Sequence, residues 1–206
     1  MALFALRDVN YKDIMKYPDI EIPEGSATFI CGESGSGKST LLKLLNGVIS
    51  TTGGKITYLG KNIDDYEPIA LRREILLVSQ SVYLFDKSIR GNFNEYYAYR
   101  ELQVINDEEI KKYLDICSAN LHLDSMCNML SGGERHRVFT AINISYQPRV
   151  LMLDEPTSAL DNKNANVLME NIKLYCKTSG ITLIVVSHDR AISDKYADNM
   201  IILAEA

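Results

Sequence analysis

The chain has 206 residues, 46% hydrophobic and 24% charged, which is the balance of an ordinary globular protein of one domain or one domain with a lobe. Its net charge of -5 argues against a broad nucleic-acid surface, and no apolar run approaches the roughly 20 residues that span a bilayer. The opening MALFALRDVNYKD lacks the long apolar core of a secretory signal, so the expectation is a cytosolic chain that reaches a membrane only through a partner.

In chain order, ATFIC (Ala27–Cys31) reads as a buried strand. It runs into GESGSGKST (Gly32–Thr40), which matches G-x-x-x-x-G-K-[ST] with Gly32, Gly37, Lys38 and Ser39 in register. Glycines at 32, 35 and 37 let the backbone around Glu33, Ser34 and Ser36 turn its N–H groups inward as a nest for oxyanions. The helix that follows adds its positive end. Lys38 is placed to reach the β- and γ-phosphates of a triphosphate, and the Ser39 hydroxyl to ligate Mg2+. Kinases, GTPases and transport ATPases share this cradle, so it does not name the reaction.

STLLKLLNG is expected as a helix with Leu41, Leu42, Leu44 and Leu45 inward and Gly47 near its end. KITYLGKNI suggests a hairpin pivoting at Gly60–Lys61, and EILLVSQ a strand ending at Gln80. From about 81 to 147 strand signals fade and a helical lobe is expected. Asn106 with Glu109 caps one of its helices, and Ser131 a second that Pro148 must stop. RVLMLDE and ITLIVVSHD return to buried strands, joined by a helix from about 162 to 179 that Asp161 caps and Gly180 closes. MIILAEA is the last strand. This alternation predicts an α/β layered fold. Four widely spaced cysteines without a C-x-x-C pair are expected as plain buried or half-buried thiols, neither metal ligands nor a disulfide framework.

The strand ends carry the rest of the chemistry. Asp154 and Glu155 emerge at the carboxyl end of RVLMLDE, where open α/β sheets bind ligands. Asp154 suits Mg2+, and Glu155 can polarise an attacking water. His188, beyond another buried strand, can hold that water against the γ-phosphate, and Gln80 can ligate Mg2+ or the water.

LSGGERHRV (Leu130–Val138) and SALD (Ser158–Asp161) then make the whole resemble an ABC-type ATPase nucleotide-binding domain, over nearly the full chain and with the motifs in family order. The resemblance implies a P-loop NTPase core of the ABC type with an antiparallel β subdomain and an inserted helical subdomain. The core would span about 1–80 and 148–206, and the helical part about 81–147. It implies ATP and Mg2+ as ligands, and hydrolysis of ATP to ADP and phosphate. It also implies an ATP-dependent head-to-tail homodimer in which Ser131, Gly132 and Gly133 of one chain meet the ATP held by the other. Ser158 and Asp161 would cross that interface. Tyr11 stands where the family stacks adenine, with Tyr17 the less favoured substitute. Glu134 and His136 replace the commoner glutamines, and the stop at Ala206 speaks against a further regulatory domain.

The resemblance further implies a subunit that powers a membrane transporter from the inner face of the cell membrane, similar to small stand-alone efflux ATPases. In SQSVYLFDKSIRGNF, the residues Tyr83, Leu84, Phe85 and Ile89 either form a socket for the permease or pack the helical lobe internally. The alternative is a soluble ABC ATPase, for example of the iron–sulfur-assembly type. A non-hydrolysing ATP clamp fits less well, because Glu155 and His188 are both present. No nucleic-acid partner is expected.

Overall fold

The computed structural model describes residues 2–12 and 14–204. The mostly apolar runs assemble side by side. These are β4 (Ala27–Cys31), β7 (Ile75–Val78), β8 (Val150–Asp154), β9 (Thr182–Val186) and β10 (Asn199–Ile202), and they form a parallel sheet in the order β10-β4-β9-β8-β7. Every residue of β4, β8 and β9 is buried, as strands covered on both faces must be. Successive side chains point to opposite faces, so each strand feeds two cores. Phe29, Leu151, Leu153, Leu183 and Val185 pack into one, while Ile30, Val150, Met152, Ile184 and Val186 pack into the other.

The second core is closed by α1 (Lys38–Leu45) and an antiparallel sheet. That sheet holds β1 (Ala2–Tyr11), β2 (Met15–Lys16), β3 (Ile20–Pro23), β5 (Gly53–Tyr58) and β6 (Lys61–Asn62), in the order β2-β1-β5-β6 with β3 also paired to β1. The β5–β6 turn uses Leu59 and Gly60, at φ 52° and 78°, one residue earlier than the expected Gly60–Lys61 pivot. Two consecutive left-handed residues match the twist of a tight hairpin. All four α1 leucines are buried as expected.

The first core lies beneath α6 (Asn162–Thr178), α7 (Arg190–Tyr196) and the helices between β7 and β8. The latter are α3 (Ile89–Tyr99), α4 (Asp107–Ile116) and α5 (Gly132–Ser145), preceded in the chain by α2 (Pro68–Glu74) ahead of β7. Capping boxes at Asn106–Glu109 and Ser131–Glu134 start α4 and α5 as the sequence indicates. The strand in EILLVSQ stops at Val78, two residues short of Gln80, and the last strand covers Asn199–Ile202. The final two residues of MIILAEA lie outside the described residues. All four cysteines are free and buried.

Residues Leu84 and Ile89 are 6% and 0% exposed and belong to the first core, so of the four socket residues only Tyr83 and Phe85 face outward. The helix that contains Ile89 was not anticipated. Its aromatic, polar text masks the stripe Ile89, Phe93 and Tyr97 that it buries.

The end of α3 is a Schellman motif. The Leu102 amide donates to the Tyr97 carbonyl and the Glu101 amide to Ala98, both at 3.0 Å, with Glu101 at φ 58°. That left-handed position favours glycine, because a Cβ crowds the following carbonyl. Glu101→Gly should therefore stabilise the protein by about 1 kcal/mol, read as a higher urea midpoint at unchanged slope.

Candidate nucleotide-binding site

Pairing register sets the site. Ile30 lies opposite Val186, and Val186 opposite Asp154, so β4, β9 and β8 end level with one another. Gly32, Glu155 and, one residue further from its strand, His188 therefore leave the sheet at the same edge.

After β4 the chain folds into the 32–37 loop. A Cβ on Gly32 would lie 2.6 Å from the Leu203 carbonyl oxygen and 2.7 Å from Ser36 Oγ, so only glycine fits. Gly37, at φ 86°, is the N-cap of α1 and offers no side-chain cap, which leaves the first helical amides free for a ligand. Lys38 Nζ spans the loop, donating to the carbonyls of Gly32 at 2.9 Å and Glu33 at 2.6 Å.

One groove of about 510 Å³ collects nine of the candidates. Ser34, Gly35, Gly37, Lys38, Ser39 and Thr40 line it together with Gln80, Glu155 and His188. Gly32 and Glu33 line the adjoining groove with Ser187 and His188. Asp154 is only 6% exposed, and burial pushes its carboxyl above the usual range, opposed by the neighbouring Ser39 hydroxyl. Asp154 Oδ1 and Ser36 Oγ are buried without a hydrogen-bond partner among the described residues. A desolvated carboxylate with a free oxygen beside a serine hydroxyl is a fitting donor set for a hard divalent cation. No cluster of three or more His, Cys, Asp or Glu side chains occurs among the described residues, so such a cation would draw on Ser39 and Gln80 as well.

Glu155 sits at φ 53°. Its amide donates to the Val186 carbonyl at 3.0 Å, and its own carbonyl accepts from Ser158 N at 3.2 Å and Ser158 Oγ at 3.1 Å. These bonds hold a backbone conformation that costs an ordinary residue on the order of 1 kcal/mol. The side chain is 23% exposed, and its Oε2 lies 3.6 Å from His188 Nδ1 of a largely exposed imidazole. A carboxylate and an imidazole face the same groove as the lysine, which is an arrangement able to activate water against a phosphate.

The other predicted residues lie apart. Ser131 caps α5 through Glu134, and Asp161 caps α6 by accepting from the Asn164 amide at 2.9 Å. Gly132 and Gly133 line a separate cavity of about 310 Å³ with His136, Arg137 and Ser158. Gln80 and Glu155 border both spaces, but none of Ser131, Gly132 and Gly133 lines the lysine groove. Tyr11 lines neither. It pairs with Met15 across β1–β2, and Met15 does reach the groove. Tyr17, the less favoured aromatic, lines a neighbouring cavity with Met15 and Ser36. No local pattern marks Met15, because its approach depends on β2 folding back onto β1.

The family model described as "ABC transporter" matches residues 15–158. Among curated proteins, the phosphate import ATP-binding protein PstB 3 of Natronomonas pharaonis is 36% identical over 211 residues, covering 92% of this chain and 74% of that one. The energy-coupling factor transporter ATP-binding protein EcfA2 of Clostridium perfringens is 35% identical over 192 residues, covering 89% and 67%. Among solved structures, cbiO1 from Clostridium perfringens, described as part of the ABC transporter complex cbiONQ, superimposes with a TM-score of 0.85 at 29% identity, over 99% of this chain and 85% of that one. With the phosphate loop, the acidic strand end and the serine–glycine helix start in family order, the chain belongs to the ABC transporter family, as one of its ATP-binding ATPase subunits.

Proposed function

We propose that this chain binds Mg2+–ATP in the 32–40 hollow and hydrolyses it as one half of a head-to-tail pair that drives a membrane permease. The observation that carries the pairing is the separation of two anion-binding ends. Lys38 and the α1 amides serve one groove, while Gly132 and Gly133 at the start of α5 border another. A γ-phosphate lying in the first groove would meet the second only from another copy. ATP then acts as a bridge between subunits, and its hydrolysis loosens them.

Asp154 and Ser39 would hold the cation, joined by Gln80, which lines the same groove as Ser39. Such a cation would supply positive charge against the phosphate chain. Lys38 compensates the β- and γ-phosphate oxygens. Glu155 takes a proton from the water whose oxygen attacks the γ-phosphorus as the bond to the ADP oxygen breaks, and His188 orients that water. The adenine end is assigned to the rim of Tyr11 and Met15. Asp161 and Ser158 are assigned to the contact between copies.

The permease is assigned to the surface of the 81–147 helical lobe. Exposed Tyr83 packs edge-on against Phe85 at 5.0 Å between ring centres, and Phe85 stacks with exposed Tyr99 at 5.8 Å. Clustered surface aromatics suit a protein partner better than water. Among the described residues no helix is long and apolar enough to cross a membrane, so this docking would hold the chain at the inner face of the cell membrane.

Three experiments test these roles. Glu155→Gln should lower turnover by about 100-fold or more and accumulate an ATP-bound dimer in light scattering; a variant that stays monomeric in ATP overturns the pairing. Phe85→Ala should leave basal ATPase unchanged and weaken capture of the membrane subunit from detergent extracts; undiminished capture by a folded variant overturns the docking. Asp154→Asn should abolish Mg2+-dependent turnover while raising the melting temperature of the nucleotide-free chain at pH 7. The sign follows from burial, which raises the Asp154 pKa above its unfolded value. Its stabilising contribution is complete below the unfolded pKa and is lost as pH rises through the folded one. At neutral pH the ionised group is a burden that the amide removes, and the gain should vanish in melts at acid pH.

A further inference from the structure

Two residues outside the phosphate-binding motif touch its critical glycine. Tyr17, between β2 and β3, is 3% exposed, and its hydroxyl donates to the Gly37 carbonyl at 3.0 Å. The Leu41 amide donates to the same carbonyl at 2.8 Å, so both of its lone pairs are engaged. A Cβ on Gly37 would lie 2.5 Å from Met15 Sδ and 2.8 Å from the Tyr17 hydroxyl, so this hairpin presses directly on the loop. Burial pushes the Tyr17 phenol up to about 12, so it remains a donor at any working pH.

The geometry has a directional consequence. A trans peptide points its C=O and N–H in opposite directions, and the described residues contain no cis bond. With the Gly37 carbonyl held along the helix by Leu41 and from the side by Tyr17, the Lys38 amide of the same peptide must point out of the α1 N-terminus. No side-chain cap competes for that end, so the amide is presented to whatever anion the hollow takes.

We propose that Tyr17 is a positioning residue of the nucleotide site: through Gly37 it fixes the Gly37–Lys38 peptide in its anion-binding orientation, and so raises affinity for the phosphate chain without touching it. This rests on the ATP reading above. It makes the antiparallel sheet part of the phosphate site, through one hydroxyl and no charged group.

The test is Tyr17→Phe, which keeps the ring and removes the hydroxyl, compared with Tyr58→Phe. Tyr58 is a buried phenol of the same sheet that bonds Glu74 at 3.0 Å and lines none of the grooves around the loop. Calorimetry on the full chain would use ATP, ADP and inorganic tripolyphosphate. Tyr17→Phe should weaken all three by about fivefold, the worth of one hydrogen bond. It should raise the KM for ATP by a similar factor and leave kcat within about twofold, while Tyr58→Phe lowers the melting temperature without changing any affinity. Unchanged affinities in a folded Tyr17→Phe protein overturn the proposal. So does a loss seen with ATP and ADP but not tripolyphosphate, which would place the effect on the base, and so does an equal loss in Tyr58→Phe. Failure of the unaltered chain to bind ATP would instead overturn the nucleotide reading, and this inference with it.

Discussion

The level ending of three parallel strands is the constraint on which the site depends. Ile30, Val186 and Asp154 are tied across β4, β9 and β8 by backbone pairing. That register is enforced from both sides, because alternate residues of each strand fill different cores. A slip of one residue would exchange the two sets and move Gly32, Glu155 and His188 out of line. The chemistry of the groove is therefore positioned by apolar packing that never touches the ligand.

Around that groove, local stability is given up. Asp154 is buried with an oxygen unpartnered, Ser36 Oγ likewise, and Glu155 holds a left-handed backbone. Each costs on the order of 1 kcal/mol in isolation. Asp154 and Glu155 lie at the end of β8, and Ser36 in the loop after β4, so the buried sheet behind them can hold them in place. Asn or Gly at 155 would suit the backbone better than glutamate does, so glutamate is there for what its carboxylate does.

Much of this was legible in the sequence because the decisive signals are local. The G-x-x-x-x-G-K-[ST] spacing, the capping pairs at Asn106 and Ser131, and the buried runs ending in Asp154 and His188 each need only a few neighbouring residues to declare themselves. What escaped depends on distant partners. Tyr17 reaches Gly37 only once β2 has folded onto β1, and nothing near Tyr17 announces it. Helices α2 and α7, with seven residues each, are too short for periodicity to speak. The family resemblance puts Leu84 and Ile89 in the socket, yet Leu84, ahead of α3, and Ile89, at its start, are both buried in the first core, and Tyr83 and Phe85 are left outside.

The buried cysteines have a practical consequence. Burial drives the Cys176 thiol up to about 12 and Cys117 higher still, so neither supplies thiolate at neutral pH while the fold is closed. An alkylating reagent can reach them only when the helices around them part, so the rate of labelling becomes a clock for that opening. Cys31, at the base of the phosphate loop, times a different part of the molecule. Native chemistry thus supplies timers at several depths of the first core, and a cysteine engineered onto the surface would take a fluorophore without any of them being removed.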